Sequence, residues 1–201
     1  ELAPRGSGDD KMQAYNFRIC LSSDPANRID ITRPADYDST RYELLARLIA
    51  TKPNATGLYT YLKFDRMPNN KTDINNNGAF STDMIGMNYH YPEASYEERA
   101  EFYDTLESYT KGLLYFLWYD ERVPEALRTK LQEWGYPKDE YVDNGNWSPQ
   151  IYVREGRRMI GEYVMTEHNC VGDEVVEDPI ALAAYTRSEE RRVGKECATG
   201  C

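Results

Sequence analysis

Arg154, Glu155, Arg157 and Arg158 crowd the middle of IYVREGRRMIGEYVMTEH, the stretch Ile151–His168. Planar guanidinium groups grip carboxylates or phosphates through paired hydrogen bonds, and they stabilise negative charge that builds up on a bound ligand. The three arginines are therefore the leading substrate- or ligand-proximal candidates; the plainer alternative is a salt-bridged surface hairpin with Glu155 and Glu162 as partners. Only two histidines, His90 and His168, titrate near neutral pH and qualify as weak acid–base candidates. His90 lies in the aromatic run Asn88-Tyr89-His90-Tyr91, where a hydrogen-bonded loop role is the alternative. His168 follows a helix start, where the dipole disfavours a cation, so a neutral structural role competes. Neither assembles a nucleophilic triad with a nearby Ser or Cys. A third group, Asn16 and Arg18, shares the polar side of an alternating run and faces either a ligand cavity or a surface ion pair. Cys20 and Cys170 are isolated, Cys197 and Cys201 lie near the end, and no Cys/His spacing suits zinc, so no metal is expected.

Elements that would position these groups follow from spacing. Tyr15, Phe17, Ile19 and Leu21 point one way and Asn16, Arg18 and Cys20 the other, which predicts a half-buried strand. Asp38 or Ser39 caps a helix carrying Tyr42, Leu45, Leu48 and Ile49, ending before Pro53. Residues 57–64 alternate as a second strand, whereas the Asn-dense stretch 67–78 reads as irregular loop; its acids do not match a calcium-loop spacing. Ser95 and Glu98 form a capping box ahead of Phe102, Leu106, Tyr109, Leu113 and Phe116, predicting a long amphipathic helix to about Tyr119. Pro124 opens a second, shorter helix through Trp134, stopped at Gly135. Residues 145–149 turn the chain into Ile151. The stretch from Ile151 then reads as strand, tight turn, strand and a helix starting at Thr166; a single helix over 154–166 is the alternative, with Gly156 and Gly161 each costing it about 1 kcal/mol. Residues 179–185 read as a strand or buried apolar segment. The fold class is α+β, with antiparallel strands, one long helix and one shorter one.

Bulk composition narrows the partners. The 201 residues suit one core, and a net charge of −10 argues against a nucleic-acid partner, because phosphate binding needs basic surface. No apolar run reaches the roughly eighteen residues of a membrane span, so a soluble protein of undetermined compartment is expected. Seventeen tyrosines and three tryptophans suit either an aromatic core or stacking on flat ligands and sugars. Residues 1–10 read as a linker. The first Met is Met12, so the true N-terminus is expected to be missing. No G-x-G-x-x-G occurs anywhere in the chain.

YVREGRRMIGEYVMTEH, together with QAYNFRICLS, KTDINNNGAFSTDMIGMN, YPEASYEER, GLLYFL, RVPEALR and WGYPKDE in that order, resembles a bacterial family of FAD-dependent oxidoreductases. These are glutathione-reductase-like flavoproteins, often grouped with heterodisulfide reductase. The likeness covers roughly residues 9–186 and is to the middle of such a protein. It implies a fragment of a two-domain FAD-binding α/β protein: residues 11–186 form a substrate or cap domain that covers the flavin, binds a small-molecule substrate and joins the remainder of the parent chain. FAD would be held by the complete protein and not by this fragment alone. The RSEERRVGKEC stretch is unlike the family, and residues 187–201 are expected to be a non-native, adapter-derived tail. An alternative from another class is a non-catalytic Tyr/Trp-rich carbohydrate-binding domain.

Overall fold

A computed structural model describes residues 10–157 and 159–181; Arg158 and the expected tail at 187–201 lie outside them. The chain divides into two compact units. The larger comprises Tyr15–Met84 and Ser95–Val153, and the smaller, among the described residues, comprises residues 10–14, Ile85–Ala94, 154–157 and 159–181. Elements run β1 (Arg28–Ile29), α1 (Glu43–Ala50), β2 (Leu62–Met67), β3 (Lys71–Asn76), α2 (Tyr96–Tyr119), α3 (Glu125–Leu131), β4 (Tyr136–Pro137) and α4 (Glu167–Val171). Both strand ladders, β1–β4 and β2–β3, are antiparallel, and the fold is α+β.

In the larger unit, α2 starts where its sequence provides for it. Glu98 N–H donates to Ser95 Oγ at 3.2 Å and Ser95 N–H donates back to Glu98 Oε2 at 2.7 Å, satisfying two orphan donors. From Leu106 onward the helix buries Leu106, Tyr109, Leu113, Phe116 and Trp118. Gly112 sits in mid-helix, where alanine would be the better helix former, because a Cβ there would lie 2.1 Å from the Tyr42 hydroxyl. That hydroxyl donates to the Tyr109 carbonyl at 2.9 Å, so Tyr42 and Gly112 are one packing solution. Asp38 opens the turn that leads into α1, accepting from Thr40 N–H at 2.9 Å. Helix α3 is shorter than its spacing predicts, ending at Leu131, with Trp134 buried in the following turn. Trp118 Nε1 donates to the Trp134 carbonyl at 3.0 Å, tying α2 to the chain that follows α3.

Three expectations in this unit are corrected. The second strand begins at Leu62 and not at Gly57, since Leu58–Thr60 form a 3-10 turn. The Asn-rich stretch is no irregular loop: Lys71–Asn76 is a strand, paired with β2 from Met67↔Lys71 to Leu62↔Asn76. Its hairpin loop, Pro68-Asn69-Asn70, places both asparagines at φ near +60°, a conformation Asn tolerates better than most residues. The first expected strand appears as an extended run joined at single bridges, Ile19 to Ile74, Ser22 to Lys71 and to Gly135, and Asn16 to Tyr152. Its inward residues Tyr15, Phe17, Ile19 and Leu21 are all essentially inaccessible, as their alternation implies.

In the smaller unit the expected hairpin over Ile151–Met165 does not form. Apart from the bridge at Tyr152, which belongs to the larger unit, the described residues of 151–165 are neither strand nor helix, so the single-helix alternative fails as well. Met159 and Ile160 stand 87% and 94% exposed, so the alternation there buries nothing. Helix α4 does start after Thr166, with a capping box to Asn169. Pro179, Ile180 and Ala181 are exposed, against the buried segment expected there; the rest of that segment lies outside the described residues.

Candidate functional site

The extended run Tyr15–Ser22 presents its polar side at Asn16 and Arg18, and the larger unit builds on each differently. Asn16 is fully buried. Both hydrogens of its amide are committed, to Asn75 Oδ1 at 2.7 Å and to Thr82 Oγ1 at 3.1 Å. Its backbone carbonyl accepts from Tyr152 N–H at 2.7 Å. Its Oδ1 has no hydrogen-bond donor among the described residues. Around it lies a buried polar network. Asn75 Oδ1 also accepts from Asn76 N–H at 2.8 Å, Asn76 Oδ1 accepts from Asp83 N–H at 3.1 Å, and Ser81 donates to the Tyr61 carbonyl. Ser81, Thr82 and the Asp83 carboxylate are all buried.

Arg18 forms a paired bond with Asp73, Nε to Oδ1 at 2.8 Å and Nη2 to Oδ2. Its guanidinium also lies 5.2 Å from the Tyr152 ring centre. The Asp73 bond raises the arginine's affinity for its proton against an opposing desolvation. Of the two readings open for Arg18, the geometry is that of an ion pair. Beside it is a shallow cleft walled by Phe17, Cys20, Tyr141 and Trp147, whose void, open solvent included, is about 180 Å³. Burial pushes the Cys20 thiol up, away from the thiolate form that reacts.

In the smaller unit the arginine group is divided among separate partners. Arg154 donates through Nη1 to the Ala14 carbonyl, and Glu155 accepts from Gln13 N–H at 2.6 Å. Arg157 reaches elsewhere, to Glu93 at 2.7 and 3.1 Å and to the Pro92 carbonyl at 3.0 Å. Both partners of that ion pair are more than two-thirds exposed. Asn88 is fully buried, donating to the Gln13 carbonyl at 2.9 Å. The motif therefore works in part as a strap, tying residues 13–14 and 92–93 to the segment after Arg154. His90 is exposed, with its carbonyl capping Glu93 N–H at 3.1 Å. His168 Nδ1 stands 3.4 Å from Asp173 Oδ2 just past α4. The described residues contain no group of three or more His, Cys, Asp or Glu placed to hold a metal ion, and no helix among them is long and apolar enough to cross a membrane.

Sequence reasoning missed Asp73, Asn75, Thr82 and Asn88. The first two were absorbed into a stretch read as loop. Their signal was the alternation of Thr72, Ile74 and Asn76, now all buried, against Lys71, Asp73 and Asn75.

The model of the family described as FAD dependent oxidoreductase matches residues 3–195. The chain belongs to that family. No curated protein and no solved structure matches it.

Proposed function

We propose that this chain is the substrate-side portion of an FAD-dependent oxidoreductase of the glutathione-reductase-like, bacterial type grouped with heterodisulfide reductase. On this reading it covers the isoalloxazine and contacts a small-molecule substrate, while another part of the parent chain holds the adenosine and pyrophosphate. The observation that carries it is topological. A pyrophosphate cradle is a Gly-rich turn between a parallel strand and a helix. Both ladders among the described residues are antiparallel, and the chain has no G-x-G-x-x-G although the family match spans nearly all of it.

The residues present fit one part of the cofactor. That part is an anionic group, which the exposed Arg157 guanidinium can meet; nothing described suits the pyrophosphate cradle, and the fully buried Asn16 presents no surface to a flavin ring. The flavin, when bound, supplies hydride or electron transfer. This chain's own groups orient and charge-balance. The Arg157 guanidinium, exposed and paired with exposed Glu93, can exchange that partner for a substrate carboxylate at small cost. Arg154 and Arg158 add positive charge nearby in sequence, Arg18 adds its own beside Asn16 in the extended run, and His90 and His168 are the imidazoles available for acid–base work. Against the carbohydrate-binding reading, all three tryptophans are 5% exposed or less, so none offers a stacking face to a sugar.

Fluorescence titration of the chain with riboflavin, FMN and FAD tests the proposal. All three should quench on binding, and FAD should bind no more tightly than FMN, with a dissociation constant weaker than micromolar. Sub-micromolar FAD binding would mean that the pyrophosphate is held here. No quenching by any flavin would remove the flavin-facing role.

A further inference from the structure

The chain contains two Asn-Gly pairs, Asn77-Gly78 and Asn144-Gly145, both in the larger unit. An asparagine followed by glycine can turn its own amide into an acid. The glycine N–H gives up its proton, its nitrogen bonds to the asparagine Cγ, and ammonia leaves as the Cγ–Nδ2 bond breaks. Water then opens the cyclic imide to isoaspartate or aspartate, with no change of oxidation state. Ring closure requires the peptide plane to rotate until the glycine nitrogen lies over the asparagine Cβ, at ψ of about −120°, outside both main allowed regions. A pair reacts only where the fold leaves that rotation free.

The structure treats the two pairs oppositely. Asn144 closes the 3-10 turn Val142–Asn144, its N–H donating to the Tyr141 carbonyl at 2.9 Å. Its carbonyl, on the peptide that would rotate, accepts from Trp147 N–H at 3.2 Å. Its side-chain amide donates to the Trp147 carbonyl at 3.0 Å and to the Tyr103 hydroxyl at 3.4 Å. Rotation there would pull against Trp147, which is buried. Asn77 lies just past the end of β3, and Gly78 stands at φ +81° with open space where a Cβ would be. Among the described residues no backbone hydrogen bond is made to the Asn77 carbonyl or from Gly78 N–H, so the reacting peptide is not pinned. Both residues are partly exposed, so water reaches the pair, and the Asn77 amide makes one bond at the surface, to the Tyr59 carbonyl.

We propose that Asn77 is a self-modification site, converting with Gly78 to isoaspartate and aspartate in the folded chain while Asn144 is held back. The product sets a new carboxylate against the Tyr59 carbonyl. Isoaspartate also adds a methylene to the main chain ahead of Ser81, whose hydroxyl donates to the Tyr61 carbonyl and whose own carbonyl accepts from the Tyr109 hydroxyl at 2.6 Å. The modification therefore acts on the link between β3 and the buried polar network.

The test incubates the wild-type chain at mildly alkaline pH, folded and, in parallel, unfolded in guanidinium chloride. Peptide mapping by mass spectrometry and enzymatic methylation of isoaspartate follow both pairs. The ratio of unfolded to folded rate is the protection that each pair receives from the fold, and it cancels the effect of neighbouring sequence. Protection at Asn144 should exceed that at Asn77 by roughly tenfold or more, because Asn144 must first break hydrogen bonds that Asn77 does not make. A smaller difference, or the reverse order, overturns the inference. Asn77→Gln, whose longer side chain closes its ring far more slowly, should remove most of the isoaspartate formed by the folded chain. Isoaspartate at an undiminished level in that variant would place the modification elsewhere and also overturns it. Should Asn77→Gln fail to fold, the wild-type protection ratio decides alone.

Discussion

Leu62–Asn76 and Ile151–Met165 are stretches of equal length that alternate apolar and polar side chains around an internal turn former. The first pairs six residues to six and buries Leu62, Phe64 and Ile74 completely. The second forms no ladder among its described residues and leaves Met159, Ile160, Tyr163 and Val164 in solvent. The turns differ: Asn69 and Asn70 adopt the positive φ that brings two strands back on one another, at φ 61° and 57°. A third backbone also differs. β3 has a further partner in the extended run, with Ile19 N–H to Ile74 O at 3.0 Å and the reciprocal bond at 2.9 Å. Residues 154–157 are instead tied by side chains, through Arg154, Glu155 and Arg157. Two strands alone are marginal in water, so alternation becomes a strand where a third element completes it.

The largest expected effect follows directly. Phe64→Ala should cost about 3–5 kcal/mol, the range for emptying a packed aromatic site, because Phe64 is inaccessible and meets the Trp134 ring edge-on at 5.1 Å. Ile160→Ala should stay within about 0.5 kcal/mol, as for exposed substitutions generally. Urea denaturation of the two variants measures both. A comparable loss for Ile160→Ala would mean that the second stretch is packed in solution and that the two stretches do not differ as described.

The same contrast should appear between the two arginine pairs, at smaller scale. Arg18 is about one-third exposed, bonded twice to Asp73 and stacked on Tyr152, so Arg18→Ala should cost about 1–2 kcal/mol. Arg157→Ala, removing an exposed pair to Glu93, should cost under about 0.5 kcal/mol and less still in high salt. Thermal melts at two ionic strengths separate them. Equal losses would mark the strap as structural and weaken its reading as a substrate contact.

What the sequence revealed of this architecture divides along the same line. Helix α2 was legible because its start is encoded within four residues, Ser95 to Glu98, and its buried stripe recurs at helical spacing. Both signals are local. Strand β3 was not legible, since Asn75 and Asn76 carry loop propensity that the strand's long-range pairing with Phe64 and Ile19 overrides. The hairpin expected after Ile151 failed for the converse reason: its pattern was right and no third strand completes it among the described residues. Of the site, Asn16 and Arg18 were found as the polar side of an alternation. Their partners Asp73, Asn75 and Thr82 lie more than fifty residues away in sequence, and nothing local connects them.

The smallest expected effect lies on β2, within the paired stretch. Asp65 faces Asp73 across the ladder, a like-charge pairing that by itself disfavours the strands. The Tyr59 hydroxyl donates to Asp65 Oδ1 at 2.6 Å and, with help from Lys63, holds that carboxyl below its usual range. A carboxyl with a depressed folded-state value stabilises the fold above its unfolded value, near pH 4, and that contribution is lost as pH falls through the folded value. Tyr59→Phe removes the largest cause of the depression. Its stability should therefore fall slightly at neutral pH and decline less steeply than the wild type's below pH 4, so that the two curves converge in acid. Melting temperatures from pH 2 to pH 7 give the comparison. Parallel curves across that range would show that the Tyr59–Asp65 bond contributes nothing to the hairpin, and that its pairing rests on the buried face and the Asn turn alone.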